Sequence, residues 1–238
     1  MSEPYLSIII PAYNEEKRIG ATLDQILRHL QTANYEAELI LVDDGSNDQT
    51  IEVINQHLRN FPFLLIRQPR NQGKGSAVKK GMLAAGGQCL LFSDADLSTP
   101  IQEVDRFLRL HEEGYDCVIG SRALEASKIE VRQIFFRELM GKVFNRIARL
   151  LSFQKIKDSQ CGFKSFKRAA AKDLFANQKL AGFAFDAEIL YLAQKKGYKI
   201  REEPVIWRNA LDSRVKIVSD PVKMFSDLLK IRWLHRHD

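Results

Sequence analysis

The chain has 238 residues, 45% of them hydrophobic and 28% charged, so it can form a folded domain with a sizeable core and is not a disordered chain. Its longest apolar run, residues 189–193, is far shorter than the roughly 20 residues that span a bilayer, and no basic-then-apolar leader for secretion opens the chain. The net charge is +6, but residues 1–120 carry −6 and residues 121–238 carry +12, which suggests nucleic acid, a phosphorylated substrate or lipid headgroups as partner of the basic half.

Short apolar runs alternate with amphipathic stretches through the first 120 residues. The predicted strands are residues 5–10, 38–43, 61–66, 88–93 and 116–119. The predicted helices between them are about residues 15–31, 47–58, 74–85 and 100–113. This alternation predicts βαβ units and an α/β domain on a mostly parallel sheet. Ligands of such sheets bind beyond the carboxyl ends of the strands, where this chain carries polar clusters.

Two later stretches combine an apolar stripe with basic flanks. Residues 131–157 hold seven basic residues and one acid, and their apolar residues recur at helical spacing between 135 and 151. Residues 221–233 repeat the pattern more weakly. Such stripes are typical of helices that lie in a membrane interface, although a helix packed on the core has the same pattern.

Two carboxylates follow the predicted strand at residues 88–93. Asp94 and Asp96 would point to opposite faces of a continued strand, but in a turn both can approach one cation. Carboxylate oxygens suit Mg²⁺ or Mn²⁺, which usually also bind substrate phosphate oxygens. The sequence therefore predicts a divalent metal site with Asp94 and Asp96 as ligands.

A second acidic cluster, Asp43-Asp44-Gly45-Ser46, follows the strand at residues 38–43. A carboxylate there could accept hydrogen bonds from a nucleotide base or ribose. The alternative is local: Asp44-Gly45 forms a turn, and Ser46 or Asn47 caps the next helix. Both interpretations can hold at once.

The remaining motifs exclude several kinds of site. Residues 71–76 are not a phosphate-binding P-loop, because Gln68 and Gly75 stand where that motif needs glycine and a hydroxyl residue, although Lys74 near a helix start could still meet a phosphate. The glycines do not form Gly-x-Gly-x-x-Gly after the first strand, which disfavours a dinucleotide dehydrogenase.

The three cysteines form no Cys-x-x-Cys pair, which favours a reducing compartment. The five histidines show no metal spacing, and His235 in the C-terminal tail is predicted to be exposed.

Several motifs in combination resemble a known family. Residues 7–15, 42–48, 71–75 and Asp94-Ala95-Asp96 resemble the nucleotide-sugar domain of family-2 glycosyltransferases. Residues 120–122, 158–164, 185–191 and Trp207 look like the polyprenyl-phosphate branch of that family. Within it they are most similar to the dolichyl-phosphate β-glucosyltransferases, with the dolichyl-phosphate mannosyltransferases as close relatives.

The resemblance implies a single domain of GT-A fold, with a Rossmann-like sheet and C-terminal amphipathic helices. Residues 1–120 would form the nucleotide-sugar-binding half and residues 121–238 the acceptor-binding half. The implied reaction is the inverting transfer of a hexose, expected to be glucose from UDP-glucose, to dolichyl or polyprenyl phosphate. A GDP-mannose-dependent mannosyltransferase and transfer to a glycan or lipid hydroxyl are the alternatives within this class.

The resemblance also implies roles for individual residues. The nucleotide-sugar pocket would contain Pro11, Ala12, Tyr13, Glu15, Asp43, Asp44, Lys74, Asp94, Ala95 and Asp96. The acceptor phosphate would be bound by Arg122, Arg132, Arg137 and Lys164. The catalytic set would be Asp94, Asp96, Arg122, Asp158 and Asp186. Leu97-Ser98 follows the acidic pair where mannosyl relatives tend to carry Leu-Gln, which leaves the third metal ligand open.

The chemistry of a phosphate acceptor agrees with this assignment. The acceptor is already anionic near neutral pH, so catalysis needs positioning and neutralisation of the leaving diphosphate rather than a strong base. Asp186 or Glu188 could act as a base for a hydroxyl acceptor, or could simply be charges at a helix N-terminus.

A non-enzymatic nucleic-acid-binding module is the remaining alternative, but no RNP-like aromatic pattern, zinc finger or helix-turn-helix signal supports it, so nucleic acid is not expected as a partner. Eukaryotic glucosyl members of the family begin with a membrane anchor that we do not find in this sequence. We therefore expect a peripheral protein on the cytoplasmic face of a membrane, held by the helices near 135–151 and 221–233.

Overall fold

The computed structural model describes residues 3–131, 156–208 and 219–236. The elements of the first part are β1 Leu6–Ala12, α1 Ile19–Leu30, β2 Ala37–Asp43, α2 Thr50–His57, β3 Phe63–Arg67, α3 Lys74–Ala84, β4 Cys89–Ser93, α4 Val104–Glu112 and β5 Cys117–Ser121. A 3₁₀ turn at Ile101–Glu103 leads into α4. All five predicted strands and all four predicted helices are confirmed, with ends that differ by at most four residues.

The elements that follow do not alternate as regularly between strand and helix. They are β6 Lys128–Val131, β7 Phe163–Lys167, α5 Arg168–Asn177, α6 Phe185–Lys195, β8 Ile200–Pro204, β9 Ile206–Arg208 and α7 Ser219–Leu234. The predicted helix near 135–151 lies outside the described residues.

One mixed sheet organises the described part of the chain, in the strand order β3-β2-β1-β4-β7-β5-β8. The pairs among β1 to β4 and the pair β5–β8 are parallel, whereas β7 is antiparallel to both β4 and β5. The prediction of a mostly parallel sheet is confirmed. Strands β7 and β8, which come from the second half of the sequence, lie in the same sheet as the strands of the first half. A separate parallel pair is formed by β6 and β9.

Side chains that alternate along the central strands build a core on each face of the sheet. On β1, Ile8 and Ile10 join one cluster and Ile9 joins the other, as the period of two in a strand requires. The first cluster includes apolar residues of α1 and α4, and the second includes those of α3, α5 and α6. Helices thus cover both faces of the sheet, and the polar loops that follow the strands lie at its carboxyl edge.

Helix α7 packs on the sheet rather than standing free. Leu228 and Ile231 are buried in a cluster with Ile119 of β5. Two apolar residues of the predicted stripe, Leu229 and Trp233, point outward instead and are 66% and 63% exposed, so the stripe is divided between the core and the surface. Across the described ranges we find no helix whose length and apolar character would let it cross a membrane. All three cysteines are buried, and none of them forms a disulfide.

Candidate active site

The loops that follow β1 and β2 are tied together by side-chain-to-backbone hydrogen bonds. The Asn14 N–H donates to Ser46 Oγ over 2.9 Å, and the Asn47 N–H donates to Asn14 Oδ1 over 2.8 Å. The Glu15 N–H donates to Thr50 Oγ1 over 2.7 Å. Ser46 and Asn47 do not cap α2, which begins at Thr50, so that part of the local alternative is wrong. The predicted pocket residues that lie on this edge are Pro11, Ala12, Tyr13 and Glu15.

The two acids at the end of β2, Asp43 and Asp44, accept hydrogen bonds from different parts of the backbone. Asp43 is buried and accepts a hydrogen bond from the Ser46 N–H over 3.2 Å. Asp44 is also buried and accepts bonds from the N–H groups of Gln72 and Gly73, at 2.7 and 2.9 Å. Burial raises the pKa of Asp44, and those two bonds oppose the shift. Through these two hydrogen bonds the Asp44 carboxylate fixes the backbone of the loop at residues 71–75.

Arg18 is a site residue that the sequence patterns did not indicate. Its guanidinium forms a two-pronged ion pair with Glu15, with Nε–Oε2 and Nη2–Oε1 distances of 2.7 Å. Its Nη1 lies 4.0 Å from Asp96 Oδ2. Arg18 therefore joins the predicted nucleoside pocket to the acidic pair. A basic residue three positions after Glu15, within the first turn of the helix predicted over about residues 15–31, was the available signal.

The acidic pair lies in a tight turn just beyond β4. The Leu97 N–H donates to the Asp94 carbonyl over 3.1 Å, and Leu97 adopts a left-handed φ of 44°. The Ser98 N–H donates to Asp96 Oδ1 over 2.9 Å. The Asp94 and Asp96 side chains are 36% and 22% exposed. Burial raises the pKa of Asp96, and the neighbouring Asp94 charge raises it further.

These donors fit a divalent cation that also binds substrate. In the described ranges, no group of three or more His, Cys, Asp or Glu side chains is arranged to hold a metal alone. Two partly exposed carboxylates are what Mg²⁺ or Mn²⁺ uses when substrate phosphates complete its coordination. Ser98, at the position left open as a third ligand, uses its N–H to hold Asp96.

Lys74 brings a positive charge to the acidic pair. It begins α3, and its Nζ lies 2.6 Å from Asp94 Oδ1. Burial alone would lower the pKa of Lys74, but the charges of Asp94, Asp186 and Asp96 outweigh it and raise the pKa. The ammonium group therefore stays protonated across the physiological range and is available to an anionic ligand.

Gly73 and Gly75, on either side of Lys74, pack so closely against the loop before α6 that neither position has room for a side chain. A Cβ at Gly73 would lie 2.4 Å from the Ala181 carbonyl oxygen, and Gly73 has a φ of +102°. A Cβ at Gly75 would lie 2.8 Å from the Leu180 carbonyl oxygen. The loop that precedes α6 thus fixes the position from which Lys74 reaches Asp94.

Arg122, whose side chain is 25% exposed, forms an ion pair with the buried Asp158 in the second half of the sequence. Arg122 Nε and Nη2 lie 2.7 and 2.9 Å from the two Asp158 oxygens, and the Arg122 N–H donates to the same carboxylate over 3.0 Å. Burial would raise the pKa of Asp158, but Arg122 outweighs it and holds the pKa well below its ordinary value. The guanidinium also lies 5.5 Å from the Trp207 ring centroid.

Lys164 and Asp186 lie beneath the site rather than on its surface. Lys164 is completely buried, and its Nζ contacts Asp186 Oδ1 at 2.6 Å and the Cys161 carbonyl at 2.5 Å. The expectation that Lys164 binds the acceptor phosphate is contradicted, because an incoming anion cannot reach a fully buried ammonium. Asp186 is also buried, and burial raises its pKa against the opposing effect of Lys164.

The structure contradicts the predicted exposure of His235, and of the two alternatives left open for Glu188 it favours a charge in the first turn of a helix. His235 is 0% exposed although it lies near the end of the sequence. Glu188 is equally buried and accepts hydrogen bonds from the N–H groups of Lys179 and Leu180, both at 2.8 Å. It also lies 2.6 Å from His235 Nε2. A carboxylate so enclosed cannot serve as a base for a hydroxyl acceptor. Arg132 and Arg137, the other predicted acceptor ligands, lie outside the described residues.

The loop at residues 158–162 joins the two parts of the site. Asp158 holds Arg122 at one end, and at the other end the Gly162 carbonyl accepts the Asp94 N–H over 3.1 Å. A Cβ at Gly162 would lie 2.0 Å from Asp94 Oδ2. Position 162 must therefore be glycine for the Asp94 carboxylate to occupy its place.

Replacing Gly162 by Ala is expected to lower kcat/KM by about 100-fold. The new methyl group would displace the Asp94 carboxylate from the position in which it could bind a metal ion together with Asp96. Steady-state kinetics with a saturating metal ion measures the effect, and the thermal unfolding midpoint checks the fold. Gly86→Ala is the matched control, since its Cβ would make an ordinary 3.6 Å contact with Glu38. Wild-type kinetics in Gly162→Ala would contradict the assigned role of this close contact.

Comparison with known proteins agrees with this geometry. A family model described as Glycosyl transferase family 2 matches residues 7–175. A dolichyl-phosphate beta-glucosyltransferase of Trichomonas vaginalis is 36% identical over 98% of this chain and 74% of its own length. The dolichyl-phosphate beta-glucosyltransferase of Homo sapiens is 34% identical over 95% of this chain and 74% of its own length.

Solved structures share the fold at low sequence identity. Glucosyl-3-phosphoglycerate synthase from Mycobacterium tuberculosis in complex with UDP superposes with a TM-score of 0.71 at 19% identity, over 96% of this chain and 80% of that one. The same enzyme with Mn²⁺, UDP-glucose and glycerol 3-phosphate has a TM-score of 0.69 at 19% identity, with the same coverage. These likenesses confirm the expected GT-A fold.

Proposed function

The chain belongs to glycosyl transferase family 2, and we propose that it transfers glucose from UDP-glucose to the phosphate of dolichol or another polyprenol, with inversion at the anomeric carbon. Relatives named dolichyl-phosphate beta-glucosyltransferase, 32% to 37% identical over at least 95% of the chain, support the acceptor and the sugar. The structural neighbour crystallised with Mn²⁺ and UDP-glucose supports the donor. The same relatives favour glucose over mannose.

The observation that carries the proposal is the charge pattern at the carboxyl edge of the sheet. Asp94 and Asp96 are partly exposed there, with Lys74 2.6 Å from one and Arg18 4.0 Å from the other. Two cationic side chains and a carboxylate pair suit a metal-bound diphosphate. Glu15, in the loop after β1, and Asp43, the last residue of β2, are assigned to the nucleoside.

Asp94 and Asp96 would hold Mg²⁺ or Mn²⁺ together with the diphosphate, and the bound cation would neutralise charge on the leaving group. Lys74 adds a second positive charge on the same side. Since its Nζ lies 2.6 Å from Asp94 Oδ1, Lys74 can stabilise the negative charge of the departing diphosphate.

The transfer is a single displacement. A phosphate oxygen of the acceptor forms a bond to the anomeric carbon while the bond from that carbon to the diphosphate breaks, and the electron pair leaves with UDP. The acceptor phosphate is already anionic near neutral pH, so no general base is needed. The burial of Glu188 and the Lys164–Asp186 ion pair support a phosphate acceptor over a hydroxyl acceptor.

Arg122 is assigned to the acceptor phosphate. Asp158 uses the Nε and Nη2 side of the guanidinium and Trp207 covers its face, so its orientation is fixed. We assign the Nη1 side to the acceptor, because an oriented guanidinium binds a phosphate with little loss of side-chain entropy. The basic half of the chain would thus face the lipid phosphate rather than nucleic acid.

The proposed position of the enzyme is the cytoplasmic face of a membrane, where a lipid-linked acceptor is accessible. Helix α7 supports this position, since Leu229 and Trp233 are exposed on the side away from the core, with exposed Arg232 and Arg236 nearby. Aromatic and aliphatic side chains beside basic ones are favoured at a headgroup interface.

The double variant Leu229→Ser/Trp233→Ser is expected to weaken binding to anionic vesicles by about tenfold, because both side chains lose apolar contact with the interface. Co-sedimentation with vesicles of phosphatidylcholine and phosphatidylserine at low salt measures this. Leu64→Ser is the matched control, because Leu64 is 45% exposed on β3 at the opposite edge of the sheet from α7. Equal binding by the double variant and the wild type would exclude α7 as a membrane contact.

A donor screen tests the proposed function. Purified protein, Mg²⁺ or Mn²⁺, and dolichyl phosphate are incubated with a panel of labelled nucleotide sugars, and lipid-extractable label is counted. UDP-glucose is expected to be the preferred donor, with the label released as glucose by mild acid. Preference for GDP-mannose, or transfer only to hydroxyl acceptors, would overturn the proposal.

A further inference from the structure

A buried contact joins the residue that follows α7 to the first turn of α6. His235, one residue beyond α7, is 0% exposed and its Nε2 lies 2.6 Å from Glu188 Oε1. A carboxylate can only accept, so His235 Nε2 carries the proton and donates it to the bond. The catalytic scheme above uses neither residue.

Glu188 connects that contact to the loop. Its Oε1 accepts the Lys179 N–H and its Oε2 accepts the Leu180 N–H, both at 2.8 Å. A fully buried carboxylate is tolerated only when such donors satisfy it. With His235 included, three donors converge on Glu188, and the loop is tied to the first turn of α6.

The loop in turn holds the backbone around Lys74. The Ala181 carbonyl accepts the Ser76 N–H over 3.2 Å, and Gln178 Nε2 donates to the Gly75 carbonyl over 2.9 Å. These bonds add to the close packing of the same loop against Gly73 and Gly75. Any shift of the loop therefore moves the first turn of α3, where Lys74 reaches Asp94.

Two lysine side chains, one from α6 and one from the same loop, also hold the backbone of the tail. Lys195 Nζ donates to the His235 carbonyl over 2.5 Å, and Lys179 Nζ donates to the Leu234 carbonyl over 2.7 Å. Leu228 and Ile231 anchor the preceding turns of α7 in the core. The tail is thus a docked element whose position is determined by several independent contacts.

We infer that His235 is a positioning residue for the nucleotide-sugar site: it holds Glu188, Glu188 holds the loop at residues 178–182, and the loop holds Lys74 against Asp94. The inference rests on the proposed function where it assigns Lys74 to the diphosphate. Docking of α7 and the affinity for the nucleotide sugar are therefore coupled, although about thirty-five residues separate α7 from that loop in sequence.

The variants His235→Ala and Glu188→Gln test this coupling in the full chain. Each is expected to raise the KM for UDP-glucose and to lower kcat/KM about tenfold, since the lost hydrogen bond to a charged group lets Lys74 shift away from the diphosphate. Amide exchange of residues 73–76 and 178–182 is expected to quicken. His235→Gln keeps an N–H donor and is expected to recover most of the wild-type KM. The double variant should be no worse than the single ones.

His111→Ala is the matched control. His111 of α4 is buried and bonded to Ser165 Oγ at 2.7 Å and to the Tyr115 carbonyl at 2.9 Å. Helix α4 packs on the face of the sheet opposite to α3 and α6. It is expected to lower the unfolding midpoint without changing KM or the exchange of the loop.

Several results would overturn the inference. Unchanged exchange of residues 73–76 in His235→Ala, or equal effects of His235→Ala and His111→Ala on KM, would each do so. If His235→Ala does not fold, exchange in Glu188→Gln decides, and protection equal to wild type rejects the coupling. A wild-type chain that does not use UDP-glucose would reject the proposed function, while the exchange pattern would still decide the role of His235.

Discussion

Replacing Asp96 by Asn is expected to lower glucosyl transfer by about 100-fold or more, because the variant loses the charge with which the carboxylate pair would hold a metal-bound diphosphate. The fold should be unaffected. Asn can still accept the Ser98 N–H that Asp96 Oδ1 accepts over 2.9 Å. Burial and the Asp94 charge raise the pKa of Asp96, so a neutral side chain at this position relieves an unfavourable charge in the folded state.

Initial rates with UDP-glucose and dolichyl phosphate, together with the thermal unfolding midpoint, measure both effects. Asp24→Asn is the matched control, since Asp24 is an exposed acid on α1 that pairs with His57 outside the site. We expect the control to retain full activity. An Asp96→Asn enzyme with the activity of the wild type would show that the acidic pair does not hold the diphosphate.

Replacing Arg122 by Ala is expected to lower turnover at limiting polyprenyl phosphate by about 100-fold, since it removes the oriented guanidinium assigned to the acceptor. A second effect is expected on stability. Asp158 would remain buried without its ion-pair partner, and breaking a buried pair costs about 3–5 kcal/mol. Rates as a function of acceptor concentration and urea unfolding measure the two effects separately.

Two further variants distinguish binding from folding. In Arg122→Ala/Asp158→Ala both members of the pair are absent, so part of the stability should return while acceptor use stays low. Arg122→Lys keeps the charge but loses the two-pronged geometry, and its acceptor use should fall between wild type and Arg122→Ala. If Arg122→Ala leaves the dependence on acceptor unchanged, the acceptor phosphate binds elsewhere.

Local patterns were enough to predict the first half of the fold. Strand and helix positions from β1 to β5 follow from hydrophobic period and from turn residues such as Gly45, which has a φ of +75°. The acidic pair at Asp94 and Asp96 could be assigned to the sheet edge because it directly follows an apolar strand. The carboxyl ends of parallel strands share an edge, so the loops after β1, β2 and β4 were expected to meet.

The features that the sequence did not reveal all depend on contacts between distant residues. Lys164 resembles a surface cation in the sequence, and only the pairing of β7 between β4 and β5 shows that its side chain is enclosed with Asp186. His235 lies in a polar tail, and its burial depends on the docking of α7. Leu229 belongs to the apolar stripe predicted for residues 221–233, and only the packing of Leu228 and Ile231 in the core shows that Leu229 faces outward.

Calorimetric titration of UDP-glucose into the protein, with Mn²⁺ and then with EDTA, tests most directly whether the sheet-edge acids bind a metal-bound diphosphate. Saturable heat is expected with Mn²⁺, and an affinity at least about 100-fold weaker is expected with EDTA and in Asp96→Asn. Equal affinity for UDP-glucose in all three titrations would contradict the assignment of the nucleotide-sugar site.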